Sequence, residues 1–290
     1  MTRSFYSDPT KPDVRLLRLR SAGMFSNVNE VVEQLRRAEI GGYRFVIDWS
    51  ASCYRATERE GDPWCYYFEP CFAESEGDWG SLPALRGGRL VACCRDNIIT
   101  PHREDGNCDH LLLPLDRNVA HALISRYLRL KTHVGTGIDH FATTHFRPHM
   151  IGLHIRGSGR WHGVRPSRRR NELHAVPVEN FFCKIDEALR LLPEAGIFAA
   201  SDSSDVIHAI QARYGDRVVT YPALRSAHGE MHRHHPANNG QVFPPYRLGL
   251  DVLSEAWLLA RTNFLVHGTS NVTNFVLCAS PHMLHAYTAA

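Results

Sequence analysis

Apolar and polar residues follow two periods along this chain, and the change from one to the other marks its elements. Residues 14–20, VRLLRLR, alternate as a half-buried strand does, and NVNEVVEQLRRAE, residues 27–39, carries Val28, Val31, Val32 and Leu35 at helical spacing. Between them lies a small-residue loop, SAGMFSN, and Asn27 with Glu30 three positions later matches a capping box. YRFVIDWS then returns as a strand. A strand–loop–helix–strand opening predicts an α/β unit with a site at the carboxyl ends of its strands.

Residues 51–114 are irregular, with several glycines and prolines and no clear period. Helical spacing resumes in DRNVAHALISRYLRL through Val119, Leu123, Tyr127 and Leu130, and a second short helix is expected over 137–145. From Met150 the pattern is plainer. A strand over 150–155 runs into a Gly/Arg loop; a helix over 178–192 sets Phe181, Ile185, Leu189 and Leu192 on one face; GIFAAS is a strand ending at DSSD, ahead of the helix VIHAIQARY. RVVTYP is a strand, HGEMHRHHPANNG a loop, LDVLSEAWLLAR a helix, NFLVHG a strand, and TSNVTNFVL opens a last helix. This alternation predicts a parallel sheet with helices on both faces. The length suits two domains, 1–146 and 147–290, with FRP just before Met150 as the joint. Two α/β, Rossmann-like halves facing a cleft give a GT-B-like architecture.

Composition narrows the class. Hydrophobic residues make up 43% and charged residues 22%, ordinary for a globular protein, and no stretch approaches the roughly 18 apolar residues of a membrane span. The opening MTRSFYSDPTKPD has no apolar segment and reads as a frayed tail, so the expected location is cytoplasmic. The eight cysteines form no CxxC pair, which favours reduced thiols over disulfides or a zinc knuckle. A net charge of +3 with scattered basic residues gives no support for nucleic-acid binding. One basic run, RPSRRR at 165–170, stands out; such runs are as often solvated surface.

Three strand ends in the second half point to one chemistry. MIGLHIRGSG ends a buried strand on His154 and Arg156, Asp202 ends IFAASD, and Thr269, Ser270 and Asn271 follow NFLVHG at a helix start. A helix N-terminus suits a phosphate, and an arginine fork matches the same group. Together they describe a nucleotide-diphosphate site that needs no metal. The histidines at 228, 232, 234 and 235 crowd one loop, and one crowded loop rarely supplies tetrahedral geometry without an acid or cysteine partner, so a mobile acceptor-side loop is expected over a structural metal site.

The order IGLHIR, IFAASDS, an acidic residue in the helix before LLARTNFLV, then TSNV resembles the α-1,6-fucosyltransferase superfamily, which includes bacterial nodulation enzymes and the animal N-glycan core enzymes. IDWSASCY at 47–54 and YFEP at 67–70 extend the resemblance into the first half. By that resemblance Arg156 neutralises the donor β-phosphate, His154 contacts the donor, Glu255 reads the guanine ring, Ser270 and its neighbours form the phosphate turn, and Asp202 closes the second motif. ELHAVPVENFF, 172–182, resembles the segment carrying the catalytic base, which makes Glu172 the base and puts Arg168 in the place of a phosphate-binding lysine. The segment follows Arg156 by more residues than in the family, and Gly157 stands where relatives carry a second basic residue.

Each residue also has a plainer reading: an ion pair at the joint for Arg156, a dipole-complementing charge for Glu172, a capping or surface acid for Glu255, an N-cap for Asp202. The expected function is an inverting, metal-independent glycosyltransferase using GDP-fucose as co-substrate, with no cofactor, a glycan or other hydroxyl-bearing acceptor, no nucleic-acid partner and no integral membrane segment. The alternatives are a different nucleotide sugar as donor, or a non-catalytic nucleotide-sugar-binding protein.

Overall fold

The structure is a computed structural model that describes residues 13–72, 89–91, 114–157, 177–226, 231, 243–268 and 270–288. It contains two parallel sheets. In the first half, β1 (Asp13–Arg18), β2 (Tyr43–Asp48) and β3 (Arg89–Val91) pair in the order β2-β1-β3, with α1 (Met24–Gly41) as the crossover from β1 to β2. In the second, β4 (Met150–His154), β5 (Gly196–Ala200), β6 (Val218–Val219), β7 (Phe264–His267) and β8 (Leu284–Tyr287) pair in the order β6-β5-β4-β7-β8. The α/β, GT-B-like expectation matches this pair of sheets.

Strand parity assigns the faces of the second sheet. Ile151, Leu153, Ile197, Ala199 and Val266 pack with Phe181 and Ile185 of α4 (Val178–Leu191) and Ile207 and Ile210 of α5 (Ser204–Tyr214). The alternate residues Met150, Phe198, Ala200 and Leu265 face the other way, onto α6 (Pro245–Leu259) and α7 (Asn271–Ala279). Alternation along a strand therefore puts His154, in phase with Met150, on the α6/α7 side. Helices cover both faces, as the sequence pattern predicts.

The apolar cluster on the α6/α7 side runs without a break into the first half through α1, Trp49, Tyr54, Tyr67 and Phe68, and it takes in α2 (Pro114–Tyr127) and α3 (Thr132–His145). Phe25 of α1 packs on Phe275 of α7 at 4.8 Å between ring centroids, and Phe68 and Trp257 meet at 6.0 Å. The motif at 67–70 is keyed into α6. Tyr67 stacks on Tyr246 and donates its hydroxyl to the Tyr246 carbonyl at 2.9 Å, and a Cβ on Gly249 would lie 2.2 Å from that hydroxyl oxygen. Glu69 pairs with Lys131 at 2.6 Å, which fixes the start of α3.

Several local expectations change. Asn27 does not cap α1: the helix starts at Met24, and the Asn27 amide turns back to donate to the Arg20 and Ala22 carbonyls while accepting the Arg20 N–H. It ties down the loop ahead of the helix, which serves the same local need for hydrogen bonds one turn later. The third helix begins at Thr132 and not at 137, because burial of Val134 and Ile138 outweighs the helix-weakening Gly135 and Gly137, about 1 kcal/mol each. RVVTYP contributes only two paired residues, and β8 is an edge strand the period did not reveal.

Candidate functional site

The carboxyl ends of β4 and β5 and the start of α7 open on one cleft, with α6 as its far wall. Its lining includes His154, Arg156, Asp202, Glu255 and Ser270, together with Ser201, Leu224 and Asp251. With its open mouth included, the cleft encloses about 640 Å³. Residues separated by more than a hundred positions in sequence thus meet at one place.

Arg156 is held by its neighbours on both sides. The Ile155 N–H continues the β4–β5 ladder to the Ala200 carbonyl at 3.1 Å, and the Gly157 N–H donates to Asp202 Oδ1 at 2.7 Å. Position 157 has no space for a side chain: a Cβ there would lie 2.1 Å from Ser203 Cβ. The glycine therefore lets the β4 turn lie flat against the start of α5. The capping role falls to Ser203, whose Oγ accepts the Val206 N–H, so Asp202 is left to fix the Arg156–Gly157 turn.

Glu255 sits inside a network centred on Arg225, a residue the sequence reading did not single out. Arg225 donates to Glu255 Oε1 at 2.7 Å, to the Tyr221 carbonyl at 3.0 Å and to the Ser201 carbonyl. Burial pushes the Glu255 carboxyl up to about 7, against the opposing pull of Arg225. One turn earlier, buried Asp251 accepts the Leu224 N–H at 2.8 Å and an Arg247 N–H at 2.6 Å. Burial raises its carboxyl as well, with the Leu224 and Arg247 donors lowering it. Arg247, Asp251 and Glu255 recur every four residues along α6, a spacing visible in the sequence, and together they pin residues 221–226 beside the cleft.

Ser270 caps α7 by accepting the Val272 N–H at 3.1 Å and lines the cleft, whereas Asn271 lies beside it with its carbonyl engaged by the Asn29 amide of α1 at 3.1 Å. A helix N-terminus facing the cleft biases it toward negative charge. From the first half, buried Tyr54 comes within electrostatic reach of Arg156. Its phenol accepts the Met24 N–H at 2.9 Å; burial and the adjacent Cys53 push it above its ordinary range, while that N–H and the Arg156 guanidinium pull it down. Glu172, Arg168 and Thr269 lie outside the described residues, as do all four histidines of the 228–235 loop. Among the described residues no group of three or more His, Cys, Asp or Glu is placed to hold a metal ion, and no helix is long and apolar enough to cross a membrane.

No family model and no curated protein sequence matches the chain. Solved structures do. The NodZ α-1,6-fucosyltransferase co-crystallized with GDP aligns over 95% of this chain and 93% of its own at a TM-score of 0.54 and 18% identity. The fucosyltransferase NodZ from Bradyrhizobium gives the same score and identity over 95% and 94%. POFUT1 in complex with GDP aligns over 97% of this chain and 100% of its own at 0.54 and 11% identity. Across nearly its whole length, the chain therefore has the fold of these fucosyltransferases.

Proposed function

We propose that this protein is an inverting, metal-independent glycosyltransferase that moves fucose from GDP-fucose to a hydroxyl of a glycan or other acceptor. The observation that carries this reading is the meeting of His154, Arg156, Asp202, Glu255 and Ser270 on one cleft. The fold agrees, since structures of this fold include NodZ soaked with GDP-fucose and POFUT1 in complex with it. Arg156 and the α7 N-terminus would carry the charge of the departing diphosphate, a role suited to preorganised donors in a water-poor site. Glu255, with Arg225 behind it, would accept hydrogen bonds from the guanine edge. Glu172 would take the acceptor proton, with Arg168, Thr269 and Asn271 completing the diphosphate side; these roles rest on the family resemblance.

We divide the chain near residue 146 into an acceptor-side half and a donor-side half, and place the enzyme in the cytoplasm with no nucleic-acid partner. One observation favours a second reading of the donor. Gly157 is packed against Ser203 where relatives carry a basic residue, so the diphosphate side has one cation fewer and another nucleotide sugar becomes admissible. Thermal unfolding with GDP, UDP and ADP tests both. A diphosphate at about 100 times its dissociation constant adds about 2.7 kcal/mol of stability, and GDP alone is expected to do so. Equal shifts with all three would remove the guanine assignment, and no shift with any would remove the donor site.

A further inference from the structure

At the β7–β8 edge of the second sheet, five groups from α2, β8, β7 with its following residue, and α7 are joined in a line by hydrogen bonds. Arg117 of α2 is buried and its Nη2 lies 3.2 Å from Nε2 of His285 on β8. His285 Nδ1 lies 3.2 Å from Nε2 of His267, the fully buried last residue of β7. His267 Nδ1 lies 3.0 Å from the carbonyl oxygen of Gly268, which also accepts the Thr273 hydroxyl at 3.2 Å.

The two ends of this line dictate its direction. A guanidinium only donates, so His285 Nε2 must accept and its proton must sit on Nδ1. A carbonyl only accepts, so the His267 proton must also sit on Nδ1, leaving Nε2 to receive the His285 N–H. The same arrangement follows from either end, and it requires both imidazoles to be neutral. Burial, with the Arg117 charge adding to it, lowers the His285 pKa. The Thr288 N–H holds the His267 carbonyl at 2.8 Å, so β8 grips the end of β7 from backbone and side chain together.

We propose that Arg117, His285 and His267 are positioning residues for the donor site: their one-directional relay fixes the Gly268 carbonyl, which also accepts the Thr273 hydroxyl of α7, and so helps set the start of α7, where Ser270 lines the cleft. This inference rests on the cleft being the nucleotide site. Arg117, on α2 of the first half, selects the His285 tautomer, a choice that an amide at position 285 would not need.

Two substitutions at one position separate positioning from packing. In His285→Asn the side-chain amide stands in for Nδ1 and can still donate to His267. In His285→Gln the terminal oxygen stands in for Nε2 and can accept from Arg117, but nothing donates to His267. GDP affinity is expected to stay within about threefold of the unsubstituted protein in His285→Asn and to fall about tenfold in His285→Gln, the worth of one well-placed hydrogen bond. Equal affinity in the two variants, or the reverse order, would overturn the proposal. Should His285→Gln fail to fold, imidazole ¹⁵N spectra of the unsubstituted protein decide: two neutral Nδ1–H rings near pH 6.5 are expected, and an Nε2–H or charged ring at either position refutes the relay. Failure of the donor-site reading would appear differently, as absence of GDP binding in the unsubstituted protein, and would overturn the relay's role in binding with it.

Discussion

The Asp202 carboxylate accepts the Gly157 N–H at 2.7 Å, joining the ends of two neighbouring strands one residue beyond Arg156. Arg156 therefore sits on a backbone anchored at both adjacent peptides, so the point from which its side chain leaves the chain is fixed. Such preorganisation lowers the cost of ordering on binding.

Gly157→Ala is expected to lose on the order of 1–3 kcal/mol of stability, because its Cβ would meet Ser203 Cβ at 2.1 Å. GDP affinity should fall with it as the Arg156 turn moves. Ser203→Gly removes the opposing carbon at little cost to the cap, so the double variant should recover both properties. Denaturant melts and GDP titrations of the four-protein cycle check this; a double variant no better than Gly157→Ala refutes the steric account.

Arg156→Ala should nearly abolish turnover and weaken GDP binding, since a charge-assisted contact to the diphosphate is lost. Arg156→Lys should recover only part, for want of the planar fork. If the arginine and the α7 terminus replace a metal, activity should also survive EDTA. Turnover lost in chelator and restored by magnesium or manganese would contradict that.

Glu255 gives a pH dependence with a definite sign. In the proposed guanine-reading role only the ionised carboxylate would accept both donors of the base edge, and burial pushes this carboxyl up to about 7. GDP affinity should thus be flat above pH 7 and weaken about tenfold per unit below it. Folding stability runs the other way: the folded carboxyl holds its proton more tightly than an unfolded glutamate near pKa ~4.3, so this contribution is lost as pH rises from there to about 7. Titrations at pH 6 and 8 measure the first effect, and Glu255→Gln should flatten it.

Glu172→Gln separates an enzyme from a binding protein. Loss of the base should cut turnover roughly 10²–10⁴-fold while GDP binding hardly changes. Turnover within a few-fold of the parent would hand the role to another group, with His162 and His174 the nearest in sequence able to take a proton near neutral pH.

That His154, Arg156 and Asp202 line one cleft was legible because a polar residue closing an apolar strand has few structural uses, and Ser270 showed itself as a helix start just after a strand. Glu255 came from family resemblance, and its partner Arg225 was invisible because nothing in YPALRS shows that 225 folds back under β5. His267 and His285 were equally silent, since single histidines acquire meaning only when a sheet brings them side by side. The strand β8 escaped because its Leu284 and Tyr287 are exposed, which leaves no alternating signal to detect. Asn27 misled because one residue type serves both caps and loop ties.

The Tyr67 hydroxyl fills the gap that Gly249 leaves on α6. An α-helix against an apolar wall has two soft adjustments, a turn about its axis and a slide of about 1.5 Å per residue. A phenol lodged in the helix surface and bonded to the Tyr246 carbonyl blocks both, as a key blocks a shaft. Glu255 lies six residues farther on, about 9 Å along the axis, so its angular setting is inherited from the first half of the chain. On the proposed donor reading, Tyr67→Phe is therefore expected to narrow the preference for GDP over UDP in thermal unfolding, although Tyr67 does not line the cleft.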